Sequence, residues 1–260
     1  MVNSVVLGTG YSSAVPTEEQ AYRTRADYKG DGTKTGIICC HSGGGRAATT
    51  PYPTASIGSA YPRLQMWLAD CGWPIVTPDL GGDPCGNDTG TARVEEARTF
   101  LQAAPRSAKP GPVVMLGYSE GGHIAMKYAL DHPDNVAAMV LLQPACDPQD
   151  IVTNNRGGFA SLLNAAYAGG YSNATYGAAH NPTIFAPTLA AEGIPTYIAY
   201  ASDDTIVIPS TVQSVIAGLG ATVTLGLVST GGHGDGFLNK LLAADGSCAA
   251  IANWLNGLSL

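Results

Sequence analysis

Charge is scarce in this 260-residue chain: Asp, Glu, Lys and Arg make up 13% of it, and the sum is −7 at pH 7. No cluster of Lys and Arg interrupts that balance, which removes the electrostatic footprint by which proteins hold nucleic acid phosphates or anionic membranes. Long apolar runs are missing too, since no segment approaches the ~20 residues that span a bilayer. The opening stretch "MVNSVVLGTGYSSAVP" has no basic start and no apolar core long enough for a standard secretion signal. The expectation is no nucleic acid partner and no membrane span, in a protein that is cytoplasmic or released by another route. The six cysteines include no C-x-x-C pair. Buried, reduced thiols are expected, with Cys39 and Cys40 on opposite faces of one strand. Cys71 and Cys85 flank a single strand and are the pair best placed for a disulfide.

What the chain does have is apolar residues, 45% of the total, enough for a sizeable core in one domain spanning residues 1–260. Short apolar runs alternate with helical patterns. "TGIICCH", "WPIVTPD", "PVVMLG", "NVAAMVLLQ", "PTYIAYA" and "TVTLGLVST" read as strands, with amphipathic segments between them. That alternation predicts an α/β fold with a mainly parallel central sheet covered by helices on both faces. Residues 147–187 break the rhythm and are too long for an ordinary connection. Phe159, Leu162, Leu163, Tyr167, Tyr171 and Tyr176 supply apolar contacts there, so this insertion is expected to form a small cap.

One junction carries chemistry. In "PVVMLGYSEGGHIAMKYAL" a strand passes into a helix through Gly117-Tyr118-Ser119-Glu120-Gly121. The G-x-S-x-G pattern at a strand-to-helix turn is a nucleophile elbow, in which a strained turn lifts the serine hydroxyl above the sheet edge and leaves room only for glycine nearby. A serine hydroxyl needs a positioned base, usually a histidine oriented by a carboxylate. Of the five histidines, His132 ends a helix, His180 lies in the insertion, His123 shares the serine's helix and His41 closes a strand before a glycine-rich loop. His233, in "STGGHGDGF", follows the last predicted strand at the carboxyl edge, where parallel sheets place their sites.

The carboxylate is sought at the same edge. "YIAYASDDTIVIP" ends its strand at Asp203 and Asp204, two neighbours whose side chains leave on opposite sides. Asp204 is the preferred acid, with Asp203 and, more distantly, Asp147 as alternatives. The chain order Ser, Asp, His accords with the elbow.

Taken together, "IICCHSGGGR", "GWPIVTPDLG", "GYSEGG", "SDDTIVIP" and "GGHG" occur in the order and at the places of the α/β-hydrolase landmarks. The chain resembles that superfamily over nearly its whole length, with one departure: Ser42 stands where the family usually has glycine after the histidine. The resemblance implies that Ser119 attacks an acyl carbonyl, His233 shuttles its proton and Asp204 holds the histidine. The oxyanion would be bound by the backbone N–H of Glu120 and by that of Gly43 or a neighbour. Ser42, Gly44, Tyr118 and Tyr167 are the candidate substrate contacts, with Arg46 either on the surface or against a substrate carboxylate. No metal or organic cofactor is implied. A small-molecule ester is the expected substrate. Thioester cleavage, carbon–carbon bond hydrolysis, perhydrolysis, lyase chemistry or a binding module without turnover are the alternatives.

Overall fold

A computed structural model describes residues 5–11, 19–25, 27–43, 60–104, 106–243 and 247–260. Gly44 and Arg46 lie outside the described residues.

The apolar runs expected as strands become β3 (Ile37–Cys40), β4 (Ile75–Pro78), β5 (Val113–Tyr118), β6 (Val136–Leu142), β7 (Thr196–Ala201) and β8 (Val223–Ser229). Two strands precede them, β1 (Val5–Tyr11) and β2 (Glu19–Arg25), in a stretch from which no element was expected. The sheet order is β1-β2-β4-β3-β5-β6-β7-β8. β1 with β2 and β2 with β4 run antiparallel, and all pairs from β4 to β8 run parallel.

Alternation along each strand sorts the core into two layers. Ile38, Cys40, Met115, Leu141 and Ile198 face one cluster; Ile37, Cys39, Leu116, Val140 and Ala199 face the other. Both faces are covered, which is why the central strands read as unbroken apolar runs rather than alternating ones. Helices α2 (Asp88–Gln102) and α3 (Glu120–Asp131) pack on the first layer, while α1 (Ala60–Asp70) closes the second. Each fully buried leucine or isoleucine contributes ~1.5–3 kcal/mol to this arrangement.

Residues 147–187 fold into short helices, α4 (Pro148–Asn154), α5 (Ala160–Ala165) and α6 (Asn173–His180), and run on into α7 (Pro182–Ala190). Their starts follow from local chemistry. Asp147 caps α4, accepting the N–H groups of Gln149 and Asp150, and Ser172 and Asn181 cap α6 and α7 in the same way. Proline at the first turn of α4 and α7 costs no hydrogen bond there. The chain then returns through β7, α8 (Pro209–Leu219) and β8 to α9 (Asp235–Leu241) and α10 (Ala249–Gly257), the last two packed on the second layer.

The cysteine expectation needs one correction. All six thiols are free, and Cys71 and Cys85 are not bonded to each other. They sit before and after β4, so the strand's own length, ~3.3 Å per residue, separates them beyond the ~7 Å limit for a disulfide. Cys71 is exposed and the other five are buried.

Candidate active site

The carboxyl ends of β5, β6, β7 and β8 converge, and the loops that leave them carry the polar residues singled out in the sequence. After β5, Ser119 adopts φ 55°, ψ −118°, a region that a residue with a Cβ rarely occupies. The turn is held by Ser119 N–H donating to Leu142 O at 3.0 Å and by Ser119 O accepting from Ala145 N–H at 2.8 Å. Side chains are excluded around it. A Cβ on Gly117 would overlap the carbonyl of Gly121, and one on Gly121 would overlap that of Cys40. The glycines of "GYSEGG" are therefore required by crowding as well as by the strained serine between them.

His233 bridges the serine and an acid. Its Nδ1–H donates to Asp204 Oδ2 at 2.7 Å, and its Nε2 accepts from Ser119 Oγ–H at 2.9 Å. The carboxylate partner fixes the tautomer, because only a protonated Nδ1 can face it. Asp204 is buried, and its other oxygen accepts the N–H groups of Ile206 and Val207, each at 2.9 Å. The Tyr118 ring stacks against the imidazole, with centroids 5.5 Å apart and planes inclined by 23°. Burial, then the charges of Asp204 and Asp235, push the Tyr118 phenol well up, so it stays neutral beside the histidine.

Asp203 turns outward and accepts the N–H groups of Gly231 and Gly232, both at 2.8 Å. Those bonds, Gly232 first, hold its carboxyl below the usual range. Asp147 is occupied by its helix cap and by Asn181 Nδ2 at 2.9 Å.

The serine opens into a cavity of about 240 Å³. Ser42, Gly43, Tyr118 and Glu120 line its polar end, whereas Ile151, Phe159, Leu162, Leu163, Ile206 and Val207 form apolar walls. Glu120 Oε1 accepts the N–H of Cys85 at 2.6 Å, joining the elbow to the loop after β4. Tyr167 is absent from the lining. It is buried behind the wall, its hydroxyl donating to Cys85 O at 2.8 Å and its ring packed against Tyr171 and Tyr176. The aromatics of residues 147–187 thus divide into a cavity wall at Phe159 and a cluster of tyrosines behind it.

Two histidines set aside in the sequence sit close to this cavity. His123 lines it, buried, with Nε2–H donating to His180 O at 2.7 Å. His180 is also buried and anchored, with Nδ1–H donating to Gly86 O at 3.0 Å. Burial, followed by the nearby His180 and Lys127, lowers the His123 pKa to about 4, partly offset by the bond to His180 O. Gln143, at the end of β6, was not anticipated at all. Its signal was a lone polar residue closing the apolar run "MVLLQ" at the carboxyl edge. Among the described residues no group of three or more His, Cys, Asp or Glu is placed to hold a metal.

Comparison with known proteins agrees with this architecture. Residues 58–183, just under half of the chain, match the family described as serine aminopeptidase, S33. The match includes Ser119 and stops short of Asp204 and His233. Over 88 residues the chain is 40% identical to lipase LipV of Mycobacterium tuberculosis, covering 34% of this chain and 33% of that one. Over 122 residues it is 29% identical to the pyrrolizixenacetamide deacetylase of Xenorhabdus hominickii, covering 46% and 42%. The chain therefore spans about a third of one curated relative and about two fifths of the other. Among solved structures, an S-formylglutathione hydrolase from Agrobacterium tumefaciens superposes with a TM-score of 0.66 at 14% identity, over 96% of this chain and 93% of that one.

Proposed function

We propose that this chain, which shares its fold with the S-formylglutathione hydrolase and matches the serine aminopeptidase family over residues 58–183, is a serine hydrolase that cleaves carboxylic esters through an acyl-enzyme. The observation that carries this reading is a single imidazole in contact with both Ser119 Oγ and Asp204 Oδ2. Ser119 attacks the ester carbonyl as His233 Nε2 takes its proton. The histidine then returns that proton to the departing alcohol, and a water molecule repeats the sequence to release the acid. Asp204 keeps the proton-accepting nitrogen facing the serine and balances the imidazolium that forms.

The developing oxyanion sits between the backbone N–H of Glu120 and that of Gly43, residues that line the cavity together with Ser119. Each such donor typically contributes ~3 kcal/mol to the transition state. Residues 147–187 act as a cap: Ile151, Phe159, Leu162 and Leu163 supply apolar walls suited to an acyl chain. A cavity of about 240 Å³ with these apolar walls is suited to an acyl group and not to a polymer.

A second reading, amide hydrolysis, draws on the description of the matched family and on the deacetylase relative. One experiment addresses both. Nitrophenyl esters of increasing acyl length are compared with a thioester and an amide, alongside fluorophosphonate labelling of wild type and Ser119→Ala. Ester turnover and labelling that disappear in a folded Ser119→Ala protein are expected. Full activity in that variant would remove Ser119 as the nucleophile, and faster amide than ester turnover would favour the second reading.

A further inference from the structure

We propose that Gln143 is a positioning residue for the His233–Asp204 pair, one buried amide that ties the acid and both sides of the histidine loop to the end of β6. The inference rests on the reading of Ser119, His233 and Asp204 as an acyl-transfer site, and it adds a fourth side chain to that site.

Gln143 is fully buried, and its three side-chain hydrogen bonds lead to the same place. Nε2 donates to Asp204 Oδ2 at 3.0 Å and to Gly232 O at 2.6 Å, while Oε1 accepts from Gly234 N–H at 3.0 Å. Gly232 and Gly234 are the two neighbours of His233. Asp204 Oδ2 is thereby shared between the imidazole and the glutamine amide.

The chemistry admits few substitutes. The three partners demand two donors and one acceptor from one side chain, which a primary amide provides. A carboxylate would meet Asp204 and the Gly232 carbonyl with like charge and lone pairs, and an ammonium could not accept from Gly234. The same demand fixes which way round the amide lies. Asparagine has the group but is one methylene too short to span from β6 to the loop.

The backbone adds a second, separate observation. Gln143 has φ 43°, a left-handed conformation that glycine or asparagine adopts more readily. Its N–H is pinned by donation to Ala199 O at 2.8 Å. Strain of this kind persists where the surroundings over-determine it, and it gathers at functional sites. Here the bend aims the side chain along the sheet edge, across β7, toward the loop after β8. Gln143 does not line the cavity, so its influence on the reaction passes through Asp204 and His233.

The groups facing His233 are Ser119 and Tyr118 from the end of β5, Gln143 from β6 and Asp204 from β7. Asp235 begins the following helix, and Asp203 holds the loop from outside. Among the described residues, only Asp204 touches the imidazole with a charge. A second carboxylate at position 143 would lie beside it and favour the imidazolium.

The test is the pH dependence of kcat and kcat/KM on one nitrophenyl ester for wild type, Gln143→Leu and Gln143→Glu, with Ser119→Ala as the control and melting curves for all four. Outer partners of functional histidines at metal sites typically cost 10–100-fold when removed, and a fall of about that size in kcat at nearly constant KM is expected for Gln143→Leu. Gln143→Glu, near-isosteric, is expected to move the acid limb of kcat/KM to higher pH, a change that loss of space-filling alone does not produce. Wild-type kcat in the leucine variant together with an unmoved acid limb in the glutamate variant would overturn the proposal. If the leucine variant does not melt cooperatively, an unmoved limb in the glutamate variant overturns it alone. Turnover retained by Ser119→Ala would instead overturn the nucleophile reading, and this inference with it.

Discussion

Asp203 and Asp204, adjacent in the chain, grip the histidine loop from opposite sides: Asp204 through the imidazole of His233, Asp203 through the backbone amides of Gly231 and Gly232. Their replacements should separate cleanly. Asp204→Asn is expected to leave the fold intact and lower kcat steeply, since the corresponding change in the chymotrypsin-type triad costs ~10⁴. Asp203→Asn keeps an oxygen acceptor for the same amides in an exposed position, and a loss nearer ~10-fold is expected, the scale of one weakened surface hydrogen bond of ~1 kcal/mol. Both variants are compared by kcat/KM on one ester. A larger loss for Asp203→Asn would reassign the acid.

Stability should depend on His123 in mild acid. Its folded pKa of about 4 lies below the ordinary value of 6.5, so between those values the unfolded chain binds a proton that the folded one refuses. The stabilisation is complete above pH ~6.5 and is lost progressively as pH falls toward ~4, by up to ~3 kcal/mol at 1.36 kcal/mol per unit. Urea midpoints taken at both ends of that window for wild type and His123→Gln check the sign. The variant is expected to lose less stability than the wild type on acidification, and equal losses would dismiss the effect.

Acyl selectivity should follow Phe159 and Leu162, which line the cavity, and not the tyrosines behind them. Phe159→Ala and Leu162→Ala are expected to shift preference toward longer acyl chains. Tyr167→Ala should leave the ratio of rates across chain lengths unchanged and instead cost ~3–5 kcal/mol of stability, as large aromatic truncations in cores do. Rates on a nitrophenyl ester series and a denaturation curve for each variant distinguish the two roles.

The thiols offer a check on the core itself. Burial raises all six thiols, Cys71 included, but Cys71 alone is exposed and the other five are closed off from reagent. Since the thiolate is the reactive form, the native protein should titrate one rapidly reacting thiol and the denatured protein six. Rapid reaction of Cys85, which lines the cavity, would mean that the wall opens freely.

Legibility in the sequence followed how local the cause was. β5 and β6 stood out because burial on both faces leaves unbroken apolar runs, and the elbow stood out because glycine is required within two residues of Ser119. The β2 sequence "EQAYRTR" carries no such run. Its pairing with β1 and β4 comes from the assembled sheet. Gln143 showed only as a polar residue closing an apolar run, and its role was hidden for the same reason. Its three partners come from segments 61 to 91 residues away, and no spacing in the chain records them. Tyr167 was drawn toward the substrate by its residue type and its place in the insertion, yet its hydroxyl found the Cys85 carbonyl inside the core.

The order of the strands also gives the chemistry a history. Ser119 and His233 are 114 residues apart, and Asp204 and His233 are 29 apart. The base reaches the serine only when β8 has paired with β7, through Tyr200 with Val228 and Ala201 with Ser229. Contacts this distant form slowly, because a long loop must close before they stabilise anything. A chain growing from its amino end thus carries the bent serine long before it carries the imidazole, and any fragment ending before β8 holds a mute hydroxyl. On the proposed reading, hydrolysis requires the pairing of β8, the outermost parallel strand, because His233 follows it in the chain.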